Sequence, residues 1–257
     1  MNRPPSAPAR PRAAAADESR LFGLNAVRAA FAARPDDLRK LWLLPERLGD
    51  LRELVAGCVA RRRGYTLVEA ADLERLSGSQ HHEGVVAAFR RPEEWPLPAF
   101  LAALPPGPVV LLWLDGVGNP HNIGAILRAA AHFGAAGLLL PEAAPGIWSG
   151  AAVRVAEGGA EAVPAVRLGP AGAAVASLRG AGFELLATVV RGGESLYARP
   201  LPARCVWVLG AEGAGVDPAL AAACTARVGI PGSGRVESLN VAAASAVLLA
   251  EWARQHR

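Results

Sequence analysis

The sequence predicts an α/β protein in two parts, a large domain on a mostly parallel sheet preceded by a smaller α/β unit. Three observations lead there. From Pro108 onward, unbroken apolar runs alternate with stretches whose apolar residues recur at helical spacing. Strands that are apolar on both faces belong to a sheet covered on both sides by crossover helices. Upstream, residues 20–93 show the same alternation on a smaller scale. Between the two, Pro92, Pro96, Pro98, Pro105 and Pro106 interrupt every periodic pattern, because proline lacks the amide that helices and ladders need. The expected division is a disordered tail over 1–19, a small domain over 20–93, a linker over 94–107 and a large domain over 108–257.

The tail is rich in Ala, Pro and Arg and has no apolar core of signal-peptide length; its composition is that of a disordered segment, with an organelle transit peptide as the rival reading. Order is expected from Leu21. Leu24, Val27 and Phe31 recur at helical spacing after Gly23, and Pro35 ends that helix. Leu38–Leu44 reads as a strand, and Leu48–Arg63 as a helix through Leu51, Leu54, Val55, Cys58 and Val59. That helix closes on Arg61-Arg62-Arg63 and Gly64, where basic side chains complement the helix dipole. The triplet is either a solvated helix end or a phosphate-binding edge. Tyr65–Val68 and Gly84–Phe89 are short strands flanking a helix over Ala70–Leu76. His81, His82 and Glu83 lie before the last strand, but adjacent positions point apart and no third ligand is evident, so no metal is expected.

In the large domain the strand candidates are Val109–Leu114, Gly137–Leu140, Ala162–Val166, Glu184–Val189, Val206–Leu209 and Arg227–Ile230. Helix candidates are Ile123–Phe133, Gly150–Glu157, Gly172–Arg179, Pro218–Cys224 and Ser238–Arg254. Ser238 is a suitable N-cap for the last helix, and its small residues from Ala242 to Ala246 permit a close neighbour.

The totals exclude some classes. No apolar run reaches membrane-spanning length without Gly, Pro or charge, which points to a soluble, cytoplasmic chain. Cys58, Cys205 and Cys224 are odd in number and unpaired in spacing, as expected of small buried hydrophobes and not of disulfides or zinc ligands. The net charge is +4, carried by arginine with Lys40 as the single lysine. A basic excess favours a nucleic-acid partner without proving one, and arginine presents a planar fork that suits phosphate.

Three loops at the carboxyl ends of predicted strands, where open sheets bind ligands, carry the chemistry. The first is Asp115-Gly116-Val117-Gly118-Asn119-Pro120-His121-Asn122-Ile123-Gly124, with Asn122 as the expected cap of the following helix and Arg128 further along it. An arginine among small apolar residues calls for a partner, so Arg128 is either functional or half of a structural ion pair. The second, Leu209-Gly210-Ala211-Glu212-Gly213-Ala214-Gly215, reads GxxGxG late in the chain and is not a dinucleotide fingerprint, which needs GxGxxG after the first strand. The third is the turn Pro231-Gly232-Ser233-Gly234 and the segment up to Asn240.

Together, Asn119-Pro-His-Asn122-Ile-Gly124 with Arg128, Leu209-Gly-Ala-Glu212-Gly-Ala-Gly215, and Ile230-Pro with Glu237-Ser238-Leu239-Asn240 resemble the three motifs of the SpoU/TrmH family of RNA 2′-O-methyltransferases, within the SPOUT superfamily. Residues 20–93 resemble the L30e-like RNA-binding domain that precedes the catalytic domain in many members, through Leu21–Val27 and the His81–Val85 stretch. The likeness is nearest to the YfiF-type tRNA/rRNA methyltransferases, through GSQHHEGV, VGNPHNIG and the run Ala156–Glu161.

The resemblance implies a parallel sheet with a deep trefoil knot, S-adenosylmethionine as cofactor, tRNA or rRNA as substrate, and a homodimer formed through the knotted domains. By motif position it implies Gly210, Gly215, Ile230 and Leu239 at the cofactor. It implies catalytic positions at Arg128, Asn122, Ser238, Asn240 and Glu212. A guanidinium ordinarily stays protonated, so Arg128 is better read as stabilising a developing alkoxide, or holding the adjacent phosphate, than as a base. Glu212 and Asn240 stay open between a catalytic and a knot-bracing role, and the His81–Glu83 loop between meeting RNA and packing on the other domain. Ala129 stands where many members carry Thr or Ser, and Gly232 where Met is frequent. An RNA-binding protein that keeps the fold without turnover is the alternative.

Overall fold

The computed structural model describes residues 18–144 and 146–256, so the expected tail lies outside the described residues up to position 17. The small unit runs β1 (Glu18–Phe22), α1 (Leu24–Ala33), β2 (Leu38–Leu43), α2 (Arg52–Ala60), β3 (Gly64–Leu67), α3 (Ala70–Ser77) and β4 (Val85–Arg90). Its sheet has the order β1-β4-β2-β3, with β2 and β3 parallel and the other pairs antiparallel. Strand β1 is a correction to the expected start at Leu21. It pairs with β4 from Glu18 opposite Arg90 to Phe22 opposite Val86. Ser19 occupies an inward position at 4% exposure, which hides the two-residue apolar period. The predicted Leu48–Arg63 helix is shorter at its start, because Pro45–Arg47 form a 3-10 turn and regular helix begins at Arg52.

The large unit runs β5 (Trp95–Pro96), α4 (Leu97–Ala103), β6 (Val109–Asp115), α5 (Pro120–His132), β7 (Gly137–Leu140), α6 (Gly150–Ala156), α7 (Gly159–Ala162), β8 (Ala165–Arg167), α8 (Ala171–Gly180), β9 (Glu184–Thr188), β10 (Glu194–Ser195), β11 (Arg204–Gly210), α9 (Pro218–Ala223), β12 (Ala226–Gly229) and α10 (Val241–His256). Its eight strands are ordered β10-β12-β9-β11-β6-β7-β8-β5, and every pairing is parallel. Both faces are buried. On β6, Val110, Leu112 and Leu114 join the core under α5 and α10, while Val109, Leu111 and Trp113 join the core under α4 and α8. That two-sided burial is why the run read as continuously apolar.

The stretch 94–107, expected as a linker, belongs to this sheet. β5 adds the edge strand beside β8, and α4 buries Leu97 and Phe100. Its prolines are tolerated there because an edge strand and a first helical turn can do without the amide.

The two units share one core. Val27, Ala30, Leu54 and Phe89 of the small unit belong to the same buried cluster as Trp148, Ala152 and Val153. Polar ties reinforce it. Asn25 Nδ2 donates to Glu157 Oε2 at 2.6 Å. Arg34 donates to both oxygens of Glu161, at 2.9 and 3.0 Å, with its guanidinium over the rings of Phe89 and Trp148. Removing one partner of such a largely buried pair costs on the order of 3–5 kcal/mol, because the other charge is stranded. Glu83 accepts from Leu24 N at 2.9 Å and lies 3.8 Å from Arg154 of α6. The His81–Glu83 loop therefore packs on the other unit.

Cys58 and Cys205 are buried and Cys224 half-buried, all as free thiols. Burial outweighs the nearby arginines at Cys224 and pushes its thiol up to about 11, so it stays protonated near neutrality. Among the described residues no helix is long and apolar enough to cross a membrane.

Candidate active site

Three loops converge at the carboxyl ends of β6, β11 and β12. The β11 loop is shaped by its glycines. A Cβ on Gly210 would fall inside the backbone of Gly215 and Val216, so only glycine allows the chain to fold back so closely. Reciprocal backbone bonds between Ala211 and Gly215, 3.1 and 2.8 Å, close the turn, and Gly215 sits at a φ of +72°. Glu212 is left at its tip.

The β6 loop enters α5 through Asn119, not Asn122. Asn119 accepts from His121 N at 2.9 Å, with Pro120 in the first helical position; proline is pre-organised for that place and sets where the helix begins. Asn122 is thereby freed from capping and lies in the first turn, only 9% exposed. The expected cap at Ser238 also moves. Asn240 Oδ1 accepts from Ala242 N at 2.9 Å and Ala243 N at 3.4 Å, so α10 starts at Val241.

With Asn119 and Asn240 as the caps, Asn122, Glu212 and Asn240 form one network. With its oxygen bound to helix amides, Asn240 directs its Nδ2 to Asn122 Oδ1 at 3.0 Å and to Glu212 Oε1 at 2.9 Å. Asn122 Nδ2 also donates to Glu212 Oε1, at 2.9 Å. Both amide orientations follow, since each oxygen meets donors and each nitrogen an acceptor. Asn240→Ala is expected to lower stability by about 1–2 kcal/mol, through the lost cap and the polar groups left with fewer partners. Asn240→Ser should recover most of the cap contribution and none of the amide bonds, which urea unfolding of both variants will separate.

Beside the network lies a cavity of about 700 Å³ lined by Gly210, Gly215, Ile230, Ser238 and Leu239, together with Glu212 and Asn240. Its walls mix backbone of the two glycine-bearing loops with apolar side chains such as Leu209, Val241 and Leu248. That is a setting for a flat, partly apolar ligand with hydrogen-bonding edges. Ser238 is exposed, and among the described residues its hydroxyl makes no hydrogen bond. Arg128 stands apart. It is exposed on α5 and has neither an ion pair nor a hydrogen bond among the described residues, which hold no carboxylate partner for the structural ion-pair reading. Six residues separate it from Asn122, roughly a third of a turn away around the helix. Thr188, which ends β9, and Val189–Arg191 after it also line the cavity and were not singled out from the sequence; the apolar run broken by Arg191 and two glycines was the available signal.

The SpoU rRNA methylase family model matches residues 109–250, and a model described as RNA 2′-O ribose methyltransferase substrate binding matches residues 20–95. An uncharacterized tRNA/rRNA methyltransferase, YfiF, of Escherichia coli O157:H7 is 35% identical over 94% of this chain and 70% of its own length. The 23S rRNA (guanosine-2′-O-)-methyltransferase RlmB of a Burkholderia species is 34% identical over 91% of this chain and 96% of its own. Among solved structures, the SpoU methyltransferase AviRb of Streptomyces viridochromogenes in complex with the cofactor AdoMet superposes with a TM-score of 0.76 at 26% identity, covering 93% of this chain and 91% of that one.

Proposed function

Since the chain belongs to the SpoU rRNA methylase family, we propose that it catalyses S-adenosylmethionine-dependent methylation of a ribose 2′-hydroxyl in tRNA or rRNA. The observation that carries this reading is the convergence of Asn122, Glu212 and Asn240 at the edge of a cavity whose wall is the side-chain-free backbone of Gly210. The cavity fits the cofactor. Gly210 and Gly215 bring side-chain-free backbone up to a purine edge, while Ile230 and Leu239 supply apolar contact. Bound S-adenosylmethionine supplies an electrophilic methyl group on a sulfonium.

The protein's own task is then to hold the ribose in line and to stabilise charge on its 2′-oxygen. Arg128 takes that second part, as a fixed cation for the alkoxide or the adjacent phosphate. Its exposure and lack of a protein partner leave the guanidinium available to RNA. Asn122, Glu212 and Asn240 brace the loops on either side, and Ser238 offers a hydroxyl to ribose or phosphate. Residues 20–93 deliver the RNA.

Two further parts of this reading concern architecture. The segment 231–240 is exposed throughout, with Val236 and Leu239 among the exposed apolar side chains, which supports a second copy covering this face. β12 lies between β9 and β10, and α10 returns against α5; that order supports the trefoil knot. The cytoplasm, where tRNA and rRNA are met, is the corresponding compartment.

The test is transfer of labelled methyl from S-adenosylmethionine to unmodified tRNA and rRNA pools, followed by digestion to nucleosides. Label on a ribose 2′-oxygen is expected and names the RNA class. Cofactor binding with no label on either pool would favour an RNA-binding protein without turnover.

A further inference from the structure

The corner of the small unit farthest along its sheet from β1 carries an unneutralised positive surface. Arg39 and Lys40 follow Leu38 in the first half of β2, and Lys40 lies opposite Gly64 at the start of β3, so Arg62 and Arg63 stand beside them. Arg39, Lys40 and Arg62 are exposed. Among the described residues none of these four cations has a carboxylate partner. The nearby acids are already taken, Asp36 by Arg61 at 2.9 Å and Asp37 by Arg90 at 2.7 Å.

Aromatic surface is interleaved with the charge. Lys40 Nζ lies 5.0 Å from the centre of the Trp42 ring on one face of the sheet, and Tyr65, opposite Leu41 on the edge strand, is 42% exposed on the other.

Backbone geometry adds an independent sign. Helix α2 ends in a Schellman turn, with Arg63 N donating to Cys58 O at 2.8 Å and Arg62 N to Val59 O at 3.1 Å. That turn places Arg62 at a φ of +54°, the position where glycine is ordinarily found because a Cβ is strained there. A charged side chain stands where the fold alone would prefer none.

We propose that this corner is the surface on which a single-stranded segment of the RNA docks, with Arg39, Lys40, Arg62 and Arg63 taking successive phosphates and Tyr65 stacking on a base. Cations without carboxylate partners meet the charge of a phosphate backbone, and an exposed aromatic ring two residues along the chain from Arg63 meets a base face, the combination single strands select. The inference rests on the RNA reading above and specifies where on the small unit the substrate is held.

A physical link joins the corner to the reaction side. α7 packs against the backbone of Leu127 and Arg128 through Gly159, and its Glu161 holds Arg34. Arg34 lies 3.7 Å from Asp37, which Arg90 also binds.

The experiment measures binding of the full chain to a single-stranded RNA oligomer and to bulk tRNA across a salt series. The combined Arg39→Glu, Lys40→Glu, Arg62→Glu variant is expected to lose more than about tenfold in affinity near physiological salt and to show a salt slope shallower by about two. Tyr65→Ala should weaken binding with the slope unchanged. Arg62→Gly should raise the melting temperature while weakening RNA binding, a pairing that a merely structural arginine would not produce. Cofactor binding should be unchanged in all of them, which shows that the fold is retained. Wild-type affinity and slope in the triple variant would overturn the docking surface while leaving the methyl-transfer reading intact. Absence of both RNA binding and methyl transfer in the unaltered protein would overturn the RNA reading itself.

Discussion

Gly210→Ala is expected to cost about 100-fold or more in S-adenosylmethionine affinity, equivalent to about 2.7 kcal/mol. The added Cβ has no free volume, since it falls inside the backbone of Gly215 and Val216. Both flanks of the collision are main chain, so no rotamer change relieves it. Either the end of β11 or the turn from Ala211 to Gly215 must move, and both form the cavity wall. Gly215→Ala provides the comparison. Its Cβ meets nothing within 4 Å, so its cost is the left-handed φ alone, about 1–2 kcal/mol. Calorimetric titration of both variants should rank Gly210→Ala well below Gly215→Ala, with near-ultraviolet circular dichroism reporting whether the core is retained. Equal, small losses would mean that this wall does not hold the cofactor.

Arg128→Ala should reduce methyl transfer by about 10²–10³, the range found when one preorganised donor to developing negative charge is removed. Cofactor affinity should stay within about tenfold and the melting temperature should barely change, because the side chain is exposed and engages no other described residue. Arg128→Lys should recover little if the planar fork is what grips ribose and phosphate together. Single-turnover kinetics with labelled cofactor separate the chemical step from binding. Retained turnover in Arg128→Ala would move the charge-stabilising role to another group.

Burial of strands on two faces wrote itself into the sequence plainly, so the run Val109–Leu114 and the loops behind β6, β11 and β12 were legible. Short edge elements were not. β1 places Ser19 inward, β5 contains a proline, and β10 is two residues long, so none shows an apolar period. The motif residues were identifiable as types, but their local duties were not. Ser238, Asn240, Asn119 and Asn122 are all good N-caps by chemistry, and only Pro120 at one helix and the fold of the segment before the other decide between them. The network of Asn122, Glu212 and Asn240 joins positions far apart in the chain, and local pattern holds no record of such separations. Arg128 illustrates the converse error. Its apolar sequence neighbours suggested a buried partner, yet the helical turn carries it outward, away from those same neighbours.

The shared core and the Arg34–Glu161 and Asn25–Glu157 ties make the small unit a fixed arm, unable to swing without opening apolar contacts. If RNA docks on that arm as proposed, the span from the docked segment to the methyl-transfer site is then constant. Such an enzyme would select its nucleotide as a caliper does, by an offset along the folded RNA from the docked segment. Inserting or deleting nucleotides between the two would shift the modified position by register, with the identity of the base at that position a secondary matter.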